Sequence, residues 1–371
     1  MRMWLIIMYV TLAVTGGCLF YLSYKVGRLP FFEKAVGNSR LRRFFGGAFV
    51  VFSIFGIIGF FLNLINAIVC IVYLSMIWIV CDAAFFSIGK IGKKTFEKKS
   101  VALVAFTATV FSLSVGWYRA HNVWQTPYAI ESDKEIQDLK IIMFADSHVG
   151  TTFNGIGFSK HIKAMQTQKP DVVVVAGDFV DDDTTRQDMV EAAKALGEMK
   201  TTYGIYYVFG NHDKGYRTYR NFSGRDLVSE LEKNGIKVLQ DEVVSIGNSF
   251  YLIGRNDSSV KKERGGRRKS IEELVKDLDK SKFMIVADHQ PTDYKKQTEA
   301  NVDLVLSGHT HGGQLFPFNR IGEWIGANDK IYGYEKIGNT NFIVTSGISD
   351  WAIKFKTGCK SEFITVNLKR K

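Results

Sequence analysis

The sequence predicts an α/β domain joined to a membrane-spanning half, and three observations carry that prediction. Up to about residue 124 the chain is overwhelmingly apolar, in four runs each near the ~20 residues needed to cross a hydrocarbon core. From Lys140 onward, short β-branched runs alternate with helical patterns, the signature of β-α units stacked around a sheet. Five of the chain's seven histidines stand directly beyond the ends of those short runs. The organisation expected is therefore a membrane domain over 1–120 with four transmembrane helices, a polar linker over 121–138, and an α/β domain over 139–371.

The apolar runs extend from Trp4 to about Tyr24, Phe44 to about Leu62, Leu64 to about Phe86, and Val101 to about Trp117. Asn63 and Asn66 mark a tight turn between the second and third. The first run is too long for a cleaved leader and has no small-residue cleavage site before its basic loop, so it reads as a span. Orientation follows from Lys and Arg. One loop carries Lys25, Arg28, Lys34, Arg40, Arg42 and Arg43, another Lys90, Lys93, Lys94, Lys98 and Lys99, and the turn between spans two and three has none. Basic loops stay cytoplasmic, so four spans place the C-terminal domain outside the cytoplasm of an integral membrane protein. Asp82 reads as an interfacial residue beside Lys90, because helix-end charges reach water readily. The spans read as an anchor.

Charge divides as unevenly as hydropathy. The 371 residues hold 48 Lys and Arg against 37 Asp and Glu, and residues 1–124 alone account for 13 of the basic and 3 of the acidic ones. The α/β half is nearly balanced. That argues against a nucleic-acid partner, which would require a basic face on this domain. Cys18, Cys70 and Cys81 lie in apolar segments and Cys359 stands apart, so no disulfide framework is indicated.

In the second half, strands are predicted at Ile141–Ala145, Val172–Ala176, Ile205–Phe209, Phe250–Ile253, Phe283–Ala287, Val302–Leu306, Asn341–Thr345 and Phe363–Asn367. Helices are predicted at Phe158–Thr167, Thr185–Glu198, Gly224–Lys233 and Ile271–Leu278. The first strand is followed by Asp146-Ser147-His148, the second by Gly177-Asp178, and the third by Gly210-Asn211-His212-Asp213. The run ending at Ala287 delivers Asp288-His289, and the next delivers Gly308-His309-Thr310-His311-Gly312-Gly313-Gln314. Open α/β sheets build their sites at the carboxyl ends of strands, so these scattered motifs are expected to converge.

Carboxylate, imidazole and amide oxygen without thiolate form a donor set suited to Mn, Fe or Zn. The set is too large for one tetrahedral ion and natural for two ions sharing a carboxylate, which clamp an in-line displacement at phosphorus. Singly, any of these residues could cap a helix or satisfy a loop. Together, so many buried carboxylates and imidazoles are costly without a cation. His121 and His161 fall outside the pattern and are assigned to linker and helix surface. Asp181-Asp182-Asp183 reads as a solvated acidic loop capping the next helix. The basic run from Lys261 to Lys269 reads as a solvated loop or a grip for an anionic lipid headgroup. Arg217, Arg220 and Arg255 are further candidates for phosphate contact; no other substrate-binding residue is assigned.

Taken in order, Asp146-x-His148, Gly177-Asp178, Gly210-Asn211-His212-Asp213, His289 and Gly308-His309-Thr310-His311 resemble the calcineurin-like metallophosphoesterase superfamily over about residues 138–369. The Gly312-Gly313-Gln314 tail and the N-terminal anchor are similar to its YkuE/YaeI-type membrane-anchored branch. The resemblance implies a four-layer α/β/β/α sandwich, a metal-dependent phosphoric ester hydrolase, and two divalent ions, Mn, Fe or Zn. It implies that Asp146, His148 and His311 bind one ion and Asn211, His289 and His309 the other, with Asp178 bridging. His212 would be catalytic, donating a hydrogen bond or proton to the phosphate or leaving oxygen, and Asp213 would orient it or support the ligands. Ser361-Glu362 stands where the family commonly has Pro-Glu. The implied reaction is hydrolysis of a phosphomonoester or pyrophosphate by metal-bound hydroxide. The anchor suggests a phosphorylated, lipid-linked or cell-envelope substrate. The alternatives are a phosphodiesterase acting on a soluble substrate, or a non-catalytic membrane scaffold that keeps the fold to bind a partner.

Overall fold

A computed structural model describes residues 2–215, 220–247, 249–262 and 266–371. The chain divides into two compact units, Met1–Val115 and Gly116–Lys371.

The first unit is built from α1 (Arg2–Gly27), α2 (Pro30–Val36), α3 (Arg40–Phe61), α4 (Leu64–Gly92) and the start of α5 (Lys98–His121). Four of these five helices are long and apolar enough to cross a membrane, as the sequence predicts. Asn63 ends the turn between α3 and α4, its side chain accepting from the Asn66 N–H to cap α4. Leu22, Val51, Ile71, Trp78 and Ala105 form the buried seam. At Gly47 a side chain would run into the α1 backbone at Ser23 and Gly27, so the small residue permits close helix approach. Asp82 corrects the sequence reading. Its partner is Lys25, 2.6 Å away, not Lys90, and the Tyr21 hydroxyl donates to it at 3.0 Å. The pair ties α4 to α1.

The second unit contains two six-stranded sheets. In chain order the strands are β1 (Val123–Ser132), β2 (Leu139–Phe144), β3 (Val172–Ala176), β4 (Ile205–Val208), β5 (Ile236–Leu239), β6 (Glu242–Ile246), β7 (Phe250–Gly254), β8 (Phe283–Ala287), β9 (Leu304–Ser307), β10 (Gly333–Ile337), β11 (Thr340–Val344) and β12 (Ser361–Arg370). One sheet runs β1-β12-β2-β3-β4-β5, the other β10-β11-β9-β8-β7-β6. The stretch expected as a linker over 121–138 is mostly β1, paired in parallel with β12 from Val123↔Ser361 to Ser132↔Arg370. Pro127 hides this strand in the sequence, because proline is tolerated only at a sheet edge, and β1 is an edge.

Side-chain alternation divides the layers. Ile142, Phe144, Val173 and Val175 face outward onto α6 (Gly155–Gln166), α7 (Arg186–Gly197) and α8 (Gly224–Lys233), where Phe158, Met189 and Leu227 are buried. Ile141, Met143, Val172 and Val174 face the other way, onto Phe250, Leu252, Ile285 and Leu304 of the second sheet. That sheet's far side, with Ile253, Met284 and Val286, packs on α9 (Ile271–Val275) and α10 (Tyr294–Glu299). The result is the expected α/β/β/α order. Each fully buried aliphatic or aromatic side chain contributes about 1.5–3 kcal/mol, so three buried cores hold the two sheets and their strand ends from both faces.

Candidate metal centre

The parallel strands β2, β3 and β4 of one sheet and β8 and β9 of the other deliver the predicted residues from their carboxyl ends. Among the described residues three side-chain groups result, each with its donor atoms within 4.8 Å of one another: Asp146, His148 and His311; Asp178, His289 and His309; and His148, Asp181 and His212. Asp178 joins the first two groups. Its Oδ2 is 3.1 Å from His289 Nε2 and 3.8 Å from His148 Nε2. His311 Nε2 lies 3.7 Å from Asp146 Oδ1, and the His148 and His311 rings stack at 5.2 Å. The His289 and His309 rings meet edge to face at 5.1 Å. Asn211 follows β4, next to His212.

The backbone is forced into place. Asp146, His148, Asp178, His309 and His311 all have left-handed φ, between 36° and 72°, a conformation that costs L-residues roughly 1–3 kcal/mol each and clusters at functional sites. Gly177 is required by both its φ of 84° and its surroundings: a Cβ there would lie 2.7 Å from His289 Nδ1. Hydrogen bonds fix the rest. The His309 N–H donates to both Asp146 oxygens at 3.0 Å, and the His212 N–H to Asp178 Oδ1 at 2.8 Å. The Cys359 thiol is buried and donates to the His311 carbonyl.

One of the two roles expected of Asp213 holds, and Asp181 has a role different from the one read in the sequence. Asp213 is fully buried and accepts from the backbone N–H groups of Asp178, Phe179, Val180 and Gly210, at 2.7–3.1 Å. Of the two expected roles it takes the supporting one, setting the loops after β3 and β4, and it does not orient the His212 ring. Asp181 does that: its Oδ1 is 3.0 Å from His212 Nδ1 and its Oδ2 3.1 Å from His148 Nδ1. Asp181 is 5% exposed, so it is not part of a solvated acidic loop, and Thr185 caps the following helix. The missed signal was its position, three residues after Asp178 on the same strand-end loop.

The phosphate-contact candidates are corrected likewise. Arg255 is buried in ion pairs with Asp288 at 2.8 Å and Asp293 at 3.3 Å, and Arg268 of the basic run also grips Asp288. Arg220 donates to the Asp213 and Phe222 carbonyls and lies on the Phe222 ring. Arg217 and Glu263–Gly265 lie outside the described residues. Lys269 bonds to Asp241 and Arg267 to Glu273. His121 stacks on Trp117 at 3.9 Å, and His161 packs on Phe153. Glu362 is buried and accepts from Thr126 and Tyr332, a structural use of the unusual Ser361-Glu362 pair. Trp351, which sequence reasoning passed over, stands with its ring 5.1 Å from His212 and is 47% exposed.

Burial and close charges set the electrostatics of the donor set. Burial pushes the Asp146 carboxyl up to about 6. Burial works the same way on Asp178, but the facing His289 overrides it and holds that carboxyl far below the usual range. Burial pushes His309 down to about 4 and His311 well below its ordinary value, with neighbouring imidazoles adding to the effect. His212 is raised, because Asp181 and Asp178 outweigh its burial. The His289 Nδ1 is 2.7 Å from the Ala176 carbonyl; donating there leaves Nε2 as the basic nitrogen, the tautomer a metal ligand requires. His289 Nε2 and His148 Nε2 are buried without a hydrogen bond among the described residues, a costly condition that ligation would relieve. The residues present therefore fit a pair of divalent ions.

Comparison with known proteins agrees. The model of the calcineurin-like phosphoesterase family matches residues 139–313. An uncharacterized metallophosphoesterase of Campylobacter jejuni is 29% identical over 311 residues, 81% of this chain and 79% of that protein. One from Aquifex aeolicus is 35% identical over 51% of this chain and 70% of its own length. A Danio rerio protein described as a transmembrane protein with metallophosphoesterase domain is 26% identical over 77% of this chain and 69% of its own length. With its carboxylates and imidazoles gathered at the strand ends of one unit, and four helices able to span a membrane earlier in the sequence, this chain belongs to the calcineurin-like metallophosphoesterases.

Proposed function

We propose that the chain is a membrane-anchored, two-metal phosphoesterase that hydrolyses a phosphomonoester or pyrophosphate. One observation carries this reading: two donor groups, Asp146–His148–His311 and Asp178–His289–His309, meet across the Asp178 carboxylate. In this reading Asp146, His148 and His311 would hold one ion, Asn211, His289 and His309 the other, and Asp178 would serve both. When bound, such ions polarise phosphoryl oxygens and lower the pKa of water.

The chain's own residues supply the remainder. His212 has Nδ1 engaged by Asp181, so Nε2 is the nitrogen from which a proton reaches the leaving oxygen. Trp351 offers an exposed ring beside it, against which the organic part of a substrate can lie. Asp213 keeps the two strand-end loops in register while charge moves. The basic loops around Arg40 and Lys93 support a cytoplasmic placement of that end of the helices, with the metal-binding unit on the other side. A membrane-held phosphate, lipid-linked or part of the envelope, is the substrate this anchoring favours.

The test uses the full-length chain in detergent, stripped with chelator and reloaded with Mn²⁺. We expect about two ions per chain and phosphate release from p-nitrophenyl phosphate, exceeding turnover of the bis-ester. Asp178→Ala and His311→Ala should each lower kcat/KM at least a hundredfold. Activity surviving both substitutions would overturn the reading, and a metal content near zero would favour a scaffold.

A further inference from the structure

We propose that the helical unit carries a second site, separate from the metal centre, that binds one anionic phospholipid by its phosphate and an acyl chain. The site is a recess of about 690 Å³ at the end of the unit where α1 and α4 finish and α5 begins. Five cations line it: Lys25, Arg28, Lys90, Lys94 and Lys98. The single carboxylate, Asp82, is already held by Lys25 and Tyr21. Lys90, Lys94 and Lys98 have no carboxylate partner among the described residues, and all three are exposed. A second recess of about 390 Å³ shares Arg28 and Lys98 and adds Arg40, Arg43 and Glu33; Arg43 neutralises Glu33, so the balance of the adjoining surface is cationic.

Flanking lysines at span ends ordinarily project into water, and alone would mean no more than orientation. Two features here go further. The cations surround a concavity with an aromatic wall of Trp78, Phe85, Phe86 and Phe96, so the same recess recognises anionic and apolar parts together. Beside it runs a groove of about 550 Å³, which shares Leu29 and Trp78 with the recess and is lined by Leu22, Val51, Ile71 and Phe106. Phosphate charge against Lys and Arg, continuous with an apolar channel through the span region, is the chemistry of a two-part lipid, head outward and chain within. A zwitterionic lipid would bring a cation of its own into the recess. A free phosphate would leave the apolar groove without a ligand.

Native mass spectrometry of the full-length chain, released from mild detergent after titration with phosphatidylglycerol or phosphatidylcholine, tests this. We expect one phosphatidylglycerol retained per chain, at a concentration at least tenfold below that needed for phosphatidylcholine. Millimolar glycerol 3-phosphate should not displace it. K94E/K98E, which reverses two exposed charges, should raise the half-saturating concentration at least tenfold. K34E, the same change on an exposed side chain outside the recess, should leave it within twofold. Equal retention of the two lipids, a K94E/K98E chain that binds like the parent, or displacement by glycerol 3-phosphate would each overturn the assignment.

Discussion

Replacing Asp181 with asparagine isolates the group that the sequence did not reveal. The carboxylate spends one oxygen on each of two imidazoles, 3.0 Å from His212 Nδ1 and 3.1 Å from His148 Nδ1. An amide of the same shape has one acceptor oxygen and no charge, so the His212 Nδ1 hydrogen bond loses its ionic acceptor, and His148 Nδ1, which faces the other oxygen without a hydrogen bond, loses the carboxylate's attraction. A hydrogen bond to a charged group is worth about 1.5–3 kcal/mol, which converts to a roughly 10- to 150-fold loss in kcat/KM. The assay separates the two rings. If His212 loses its support, kcat falls with KM and metal content unchanged; if His148 does, bound metal falls instead and excess Mn²⁺ restores turnover. D181N with both metal content and kcat/KM within twofold of the parent would refute the reasoning.

Gly177→Ala puts a Cβ at a φ of 84°, 2.7 Å from His289 Nδ1; we expect the His289–Ala176 bond to break and metal per chain to fall at least twofold by elemental analysis. Phe158→Ala empties the space between α6 and the first sheet, where Phe158 is fully buried, and should cost about 3–5 kcal/mol in a denaturant titration without altering metal stoichiometry in the folded fraction. His161 is held below its ordinary value by burial first and then by Lys160. Its contribution is therefore intact above about pH 6.5 and lost as pH falls toward the lowered folded value, so His161→Gln should flatten the acid limb of a melting-temperature profile below pH 6.5. Trp351→Ala should raise KM for an aryl phosphate severalfold more than for a small alkyl phosphate, as expected if its exposed ring meets the substrate.

What the sequence reveals of this fold depends on where each strand lies in its sheet. All eight strands readable from the sequence, β2, β3, β4, β7, β8, β9, β11 and β12, are interior, and their side chains are largely buried on both faces. The four that were not read, β1, β5, β6 and β10, are the four sheet edges. Their patterns mix exposed and half-buried residues, as in Glu242–Ile246 and Gly333–Ile337, because an edge strand needs polar residues to discourage further pairing. Such a strand is specified by its partner and not by its own apolar content. The same logic divides the site. Asp146, His148, Asp178, His289, His309 and His311 are legible because each directly follows an interior strand. Asp181 is harder to read: its one sequence signal is its place three residues after Asp178, and an acidic triplet before a helix looks the same whether solvated or buried.

Strain and chemistry are linked through that arrangement. Five of the converging side chains stand on residues with left-handed φ, and Asp146 and Asp178 are both buried carboxylates, so the site is locally unfavourable on two counts. It persists because the layers on either side leave the strand ends no other course: Phe144, Val175 and Val208 are buried immediately before the loops turn. Asp213, accepting four backbone N–H groups, then fixes the distance between the β3 and β4 loops. Rigid scaffolding of this kind holds several donors at distances a relaxed chain would not sustain. The burial that makes Asp146 hard to ionise is also what makes a divalent ion favourable there, since a cation in a low-dielectric pocket is attracted far more strongly than in water. Stability surrendered at the strand ends is thus recovered as affinity for metal.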